Sequence, residues 1–139
     1  MATVYFPSLN DADVVQVEFV KPAGDIRSAS LLVDSGFTGQ SCFVLPETVG
    51  DELFQASVPP SQALGALRGL QNRAWVICRI PALSFERTLI AILGDLSPLS
   101  LPPGLDGLAG LRFLRQFASW GAEQTQDGHW RFFLSDAKN

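Results

Sequence analysis

An apolar stretch that ends in a single carboxylate constrains this chain more than any other feature. Residues 31–33 are Leu-Leu-Val, an unbroken apolar run that predicts a strand buried on both faces. Asp34, Ser35 and Gly36 follow at once, so the core would hold the carboxylate while it points into the space beyond the strand. Partial burial and nearby charges are what turn such a group into a catalytic acid or base. An ordinary strand exit through an Asx turn fits the same residues.

A second segment, residues 105–117, reads as a short apolar strand, a glycine and then a helical turn. The two segments together resemble the retropepsin-like aspartic peptidases, in which an apolar strand leads into Asp-Thr/Ser-Gly. In that family a later hydrophobic pair with a glycine crosses behind the catalytic loop. Residues 33–36 match the first signature, and Leu108, Ala109 and Gly110 match the second, where they would give structural support. The resemblance extends over nearly the whole chain and is closest to the bacterial single-domain type.

The resemblance implies an all-β fold, a small retropepsin-like closed barrel with one or two short helices, formed by one domain over residues 1–139. The pattern of the residues independently predicts many short strands and few helices, which is typical of a β-barrel. Strands are predicted at residues 13–20, 27–34, 41–45, 73–80, 88–93, 118–125 and 129–134, and a helix of about two turns at residues 46–53. Residues 21–25 are predicted to form a turn that joins the first two strands in a hairpin.

Peptide hydrolysis by carboxylates needs two of them, one to accept a proton from water and one to donate a proton. The chain contains a single Asp-Ser/Thr-Gly, so the second carboxylate is expected from another copy in a two-fold homodimer. The resemblance implies that Asp34 is catalytic, that Ser35 and Gly36 support the active-site loop, and that the loop lines the substrate cleft. The loop residues expected to contact substrate are Thr38 and Gly39.

The family carries a mobile hairpin, the flap, between the first strands and the later ones. Residues 59–70 combine glycines, small residues and apolar side chains, which suits a hairpin that closes over an extended substrate. In that case Gly65 and Gly69 bracket the tip, and Gly65, Ala66 and Leu67 bind substrate. No glycine-rich flap signature is visible, and an ordinary surface loop fits the same residues.

These observations favour an aspartic endopeptidase, a hydrolase that acts on extended peptide segments as a homodimer. The alternative is a catalytically weak or inactive retropepsin-like dimer that serves as a peptide-binding or assembly module, because a fold does not guarantee chemistry. A third interpretation is an unrelated small β-barrel that carries Asp-Ser-Gly by coincidence.

The composition limits the classes of partner that the chain is expected to bind. With 139 residues, a net charge of −4 and no basic stripe, the chain lacks the footprint of a nucleic-acid binder. Its apolar runs are too short to span a bilayer, so no membrane partner is predicted. Its start lacks a secretion signal, which predicts a cytoplasmic protein. Because 47% of residues are apolar and only 17% charged, part of the surface is expected to be covered by a partner chain.

No metal or cofactor is predicted, because no thiols or imidazoles are clustered at ligand spacing. Cys42 and Cys78 are far apart in sequence; a disulfide is possible by count, but two reduced, packed thiols are favoured. The only histidine, His129, is expected in a hairpin turn. In the family, terminal strands of the two chains interleave, and residues 4–6 and 130–134 are apolar enough to do so here.

Overall fold

Strands dominate the part of the chain that can be described, and two short helices separate some of them. The computed structural model of the chain describes residues 2–63 and 69–137. The strands are β1 (Thr3–Pro7), β2 (Val14–Val20), β3 (Ile26–Asp34), β4 (Phe43–Pro46), β5 (Ala56–Ala63), β6 (Gly69–Ile80), β7 (Phe85–Gly94), β8 (Gly107–Gly110), β9 (Phe117–Gln124) and β10 (Trp130–Ala137). The helices are α1 (Glu47–Leu53) and α2 (Leu111–Leu114).

Six of the described strands close into a barrel. Their order is β2-β3-β8-β4-β7-β6, and β2 also pairs with β6, with Phe19 opposite Cys78, so that the ring has no open edge. β5 lies outside the ring and pairs only with β6. The prediction of an all-β, barrel-like fold with short helices is therefore confirmed.

Aromatic rings fill the centre of the barrel. The side chains of β2 alternate as its sequence predicts, so that Phe19 points into the core together with Val15 and Val17. The Phe43 ring lies 5.3 Å from Phe19 and 5.1 Å from Phe113, measured between ring centroids. Such tilted and edge-on contacts add to the stabilisation that comes from burial alone.

A separate three-stranded sheet packs against the barrel and contains the terminal strands. β10 lies at its centre, between β1 and β9, and both pairings are antiparallel. Phe6, Phe132 and Leu134 from this sheet are buried and belong to the same core as the barrel. β1 and β10 thus pair within one chain, and a second chain is not needed to complete this sheet.

The predicted turns and the predicted helix start are found where proline, glycine or aspartate residues favour them. The β2–β3 hairpin turns at residues 21–25, where Lys21 N donates to Asp25 O at 2.8 Å, and α1 begins directly after Pro46. The strand pair β9–β10 and its turn at Gly128 are also found where they were predicted. α2 ends at Leu114, and β9 begins at Phe117 after two further residues.

Candidate active site

Asp34 is the last residue of β3 and stands in register with Gly110 of the parallel strand β8. Its side chain is half-buried. Asp34 Oδ1 accepts a hydrogen bond from Gly36 N at 2.9 Å, and Phe37 N donates to Asp34 O at 3.1 Å. Asp34 Oδ2 accepts no hydrogen bond from another described residue. The turn therefore fixes the orientation of the carboxylate and leaves one oxygen open.

The strand order explains why this loop has its shape. β3 and β4 are consecutive in sequence but are not neighbours, because β8 lies between them and pairs with both. The connection from β3 to β4 must therefore cross the end of β8. Two hydrogen bonds hold this connection against the end of β8 and the start of α2. Leu111 N donates to Phe37 O, and Gly110 N donates to Cys42 O, each at 2.9 Å.

Gly110 allows the crossing because it has no side chain. A Cβ at this position would lie 2.4 Å from Phe37 Cδ1 and 2.9 Å from Phe37 O, and the second contact is with backbone. The Phe37 ring itself packs on a small buried cluster outside the barrel, formed by Val44, Ile92 and Leu108. Phe37 therefore anchors the loop through this contact.

The remaining predicted loop residues lie at the surface. Ser35, Thr38 and Gly39 are exposed, and Gly39 has a φ of +117°, a conformation that favours glycine. Gly36 is also exposed, and a Cβ there would lie 3.2 Å from Asp34 Oδ1. Leu108 and Ala109 are buried beneath the loop, on opposite faces of β8.

The predicted flap falls between two strands that the structure describes. β5 and β6 pair antiparallel up to Ala63 and Gly69, while Gly65, Ala66 and Leu67 lie outside the described residues. Sequence reasoning gave no role to Arg73 of β6 or to Gln40, and neither residue carries a sequence signal.

Arg73 links this hairpin to the Asp34 loop. Its Nε donates to Pro59 O of β5 at 2.8 Å, and its Nη1 lies 3.5 Å from Oε1 of Gln40. The contact joins both arms of the hairpin to the loop that begins at Asp34.

The two thiols are unsuited to nucleophilic chemistry. Cys42 and Cys78 are free and buried. Burial raises the pKa of Cys42 to about 12, although the positive charge of Arg112 acts in the opposite direction. Burial raises the pKa of Cys78 as well, and Cys42 adds to the effect. Neither thiol is ionised near neutral pH, and ionisation is what makes a thiol a nucleophile.

Two other aspartates, Asp95 and Asp106, have hydrogen-bond partners of their own. Asp95 accepts hydrogen bonds from Ser97 N and Oγ, and these bonds lower the pKa of its carboxyl. Asp106 accepts from Ser30 N at 2.9 Å. His129 is an exposed residue of the β9–β10 turn, where its carbonyl accepts from Thr125 N.

Comparisons with known proteins add no family to this description. No protein-family model matches the chain, and a search among curated proteins finds no match either. The described residues contain no cluster of three or more histidine, cysteine, aspartate or glutamate side chains able to hold a metal ion. None of their helices has the length and apolar character needed to cross a membrane.

Proposed function

We propose that the chain is an aspartic endopeptidase of the retropepsin-like type, active as a homodimer. The observation that carries the proposal is the carboxylate of Asp34. It ends a core strand, Gly36 N holds one of its oxygens, and its other oxygen is open at a half-buried surface.

Chemistry at this position requires a second carboxylate. Two carboxylates about 3 Å apart cannot both be ionised, so they share one proton and divide the roles of base and acid. One carboxylate accepts a proton from the attacking water, and the other donates a proton to the substrate carbonyl or to the leaving nitrogen. Within one chain, Asp95 and Asp106 are engaged elsewhere, which favours a second Asp34 from a two-fold partner.

The neighbouring elements suit this role. The loop after Asp34 presents Thr38 and Gly39 at the surface, where they can contact the backbone of an extended peptide. The β5–β6 hairpin, which Arg73 joins to the loop through Gln40, would cover such a peptide.

The test is Asp34→Asn, measured on a mixture of peptides made from a denatured proteome, with cleaved ends identified by mass spectrometry. We expect wild type to cleave and the variant to lose at least about 100-fold in rate, since the amide cannot take a proton as a carboxylate does. Asp51→Asn, which neutralises an exposed carboxylate on α1, is the matched control and should cleave normally.

A statine-type inhibitor should bind wild type and stop cleavage, because it mimics the tetrahedral transition state. If wild type binds peptides or the inhibitor without cleaving, the alternative of a binding or assembly module is supported and hydrolysis is refuted. Cleavage that persists in a correctly folded Asp34→Asn protein would eliminate Asp34 as the catalytic group.

A further inference from the structure

A pocket of about 360 Å³ adjoins the Asp34 loop on the side of α2. It is lined by Thr38, Gly39, Leu111, Arg112, Arg115 and Gln116. We call this site the basic pocket. Arg112 lies in α2 and Arg115 directly follows it, so the two side chains are three residues apart and share one face.

The two arginines of the basic pocket differ from the other arginines that the structure describes. Each of those has a partner: Arg27 contacts Glu52, Arg79 contacts Glu18, Arg131 contacts Glu123, and Arg73 and Arg87 bond to uncharged oxygens of Pro59 and Gln116. No hydrogen bond or ion pair joins the side chain of Arg112 or Arg115 to a described residue. This is unexpected in a chain where 14 acidic residues outnumber 10 basic ones.

The other polar groups of the pocket do not neutralise these charges. Gln116 Oε1 already accepts from Arg87 Nη1 at 2.7 Å, and its Nε2 donates to Arg112 O at 3.1 Å. The Thr38 hydroxyl is a further donor at the rim. The pocket therefore offers two guanidinium groups and a hydroxyl to a ligand, with no carboxylate among its lining residues. A carboxylate matches these donors in charge and in geometry.

We infer that the basic pocket binds the carboxylate of an aspartate or glutamate side chain in the peptide, close to the cleaved bond. The inference rests on the proposed function, because Thr38 and Gly39 belong to the loop that starts at Asp34. It assigns Arg112 and Arg115 to substrate specificity, a role distinct from the chemistry at Asp34. Both arginines are exposed, so the gain from one ion pair is modest and a preference of roughly two- to fivefold is expected.

The first test is the cleavage profile of wild type and of the double variant Arg112→Gln/Arg115→Gln on peptide pairs that differ only by Glu or Gln at one position. Wild type should prefer Glu roughly two- to fivefold in kcat/KM at one position near the cleaved bond, and the double variant should prefer neither. Lys21→Gln is the control, because it removes one positive charge in the β2–β3 turn, roughly 26 Å from Asp34 along β3. It should keep the preference.

The second test does not need activity. In the Asp34→Asn background, N-acetyl-glutamate amide and N-acetyl-glutamine amide are titrated while the backbone amide signals of Thr38 and Gly39 are followed by NMR. The glutamate compound alone should shift these signals, and Arg112→Gln/Arg115→Gln should abolish the shift.

If wild type cleaves without any preference for an acidic residue, the inference is overturned and the proposed function stands. If no cleavage occurs but the glutamate compound binds, the pocket assignment stands without the activity.

A third result would also overturn the inference. If sedimentation shows that the double variant dissociates a dimer that wild type and Lys21→Gln form, the guanidinium groups hold a partner chain and not a peptide.

Discussion

A single pair of residues, Gly110 and Phe37, determines the path of the loop that carries Asp34. Phe37 occupies the space where a Cβ of residue 110 would lie, and its carbonyl oxygen accepts a hydrogen bond from the amide of Leu111. A Cβ at residue 110 would meet both the Phe37 ring and the Phe37 carbonyl oxygen, and turning the ring away would not relieve the contact with the backbone oxygen. The position of Asp34 therefore depends on a glycine that lies 76 residues later in sequence and has no chemical role of its own.

Gly110→Ala should destabilise the protein and displace the loop, because the added Cβ would approach Phe37 O to 2.9 Å. Overpacking of this kind costs about 1–3 kcal/mol in the free energy of unfolding. Gly121→Ala is the matched control, since its Cβ would meet only the Phe133 ring, 3.4 Å from Cε1 and 3.6 Å from Cζ. Urea unfolding compares the two variants, and equal stabilities would show that the crossing is not tight.

The buried thiols make a prediction about pH. The ordinary pKa of a cysteine is 9.0, whereas burial raises that of Cys42 to about 12. Between these values the unfolded chain has lost the proton and the native chain keeps it, so the free energy of unfolding falls as pH rises. Each thiol contributes about 1.4 kcal/mol per pH unit in this window.

Cys42→Ala should therefore flatten the decline in unfolding free energy between pH 9 and pH 11, although it lowers stability at neutral pH through the cavity it leaves. The slope is measured by chemical denaturation at several pH values, with Cys78→Ala as the companion variant. An unchanged slope in both variants would show that the native thiols titrate normally.

At the scale of the elements, the sequence predicts what local chemistry controls. The alternation in β2, the turn at Lys21–Asp25 and the proline before α1 each specify a local element, and each is found as predicted. β5 was not predicted, because Pro59 and Pro60 argue against a strand; an edge strand tolerates them, since only one of its sides must pair.

The position of β8 between β3 and β4 could not be predicted from the hydrophobic pattern of the sequence. The residues of β8 are apolar and short, and their periodicity does not reveal which strands they join. The Asp-Ser-Gly segment indicated a site, but the partners that shape it, Phe37 and Gly110, are brought together only by the strand order. Arg112 and Arg115 are exposed, and no ion pair of theirs is found among the described residues.

The terminal sheet should contribute stability through one face of β10 only. Phe132 is buried against the barrel core, whereas its neighbour Phe133 points to the other face, beside Tyr5. Phe132→Ala should cost about 3–5 kcal/mol of unfolding free energy, as expected for a large core side chain. Phe133→Ala should cost about 1 kcal/mol, in proportion to its smaller burial. Thermal or urea unfolding distinguishes them, and similar losses would mean that the outer face is also covered, for example by a partner chain.

At the scale of the whole molecule, one chain supplies one loop with one open carboxylate oxygen. A two-fold axis near Asp34 would bring two such loops together and give a symmetric site for an extended peptide. The terminal sheet is complete within each chain, and the outer edges of β1 and β9 are not paired with another described strand.

Mixing of subunits tests this arrangement. If equal amounts of wild type and Asp34→Asn exchange freely and pair at random, half of the wild-type chains acquire an inactive mate. About half of the wild-type activity should then disappear, because each site needs an Asp34 from both chains. Exchange is verified with a mass-tagged variant. Activity per wild-type chain that stays constant after exchange would show that each chain has a complete site.

The place of β8 in the barrel also bears on how the protein is made. Asp106, just before β8, accepts a hydrogen bond from the amide of Ser30, which lies 76 residues earlier in the sequence. β8 itself pairs with β3, the strand that ends in Asp34. A ribosome therefore releases Asp34 into solution well before it releases the strand that shapes the loop, and pairings this distant in sequence form late. A nascent or prematurely terminated chain therefore contains Asp34 but lacks β8, the strand that shapes the Asp34 loop. If the protein does cut peptides, this order of assembly keeps unfinished copies harmless to the cell that synthesises them.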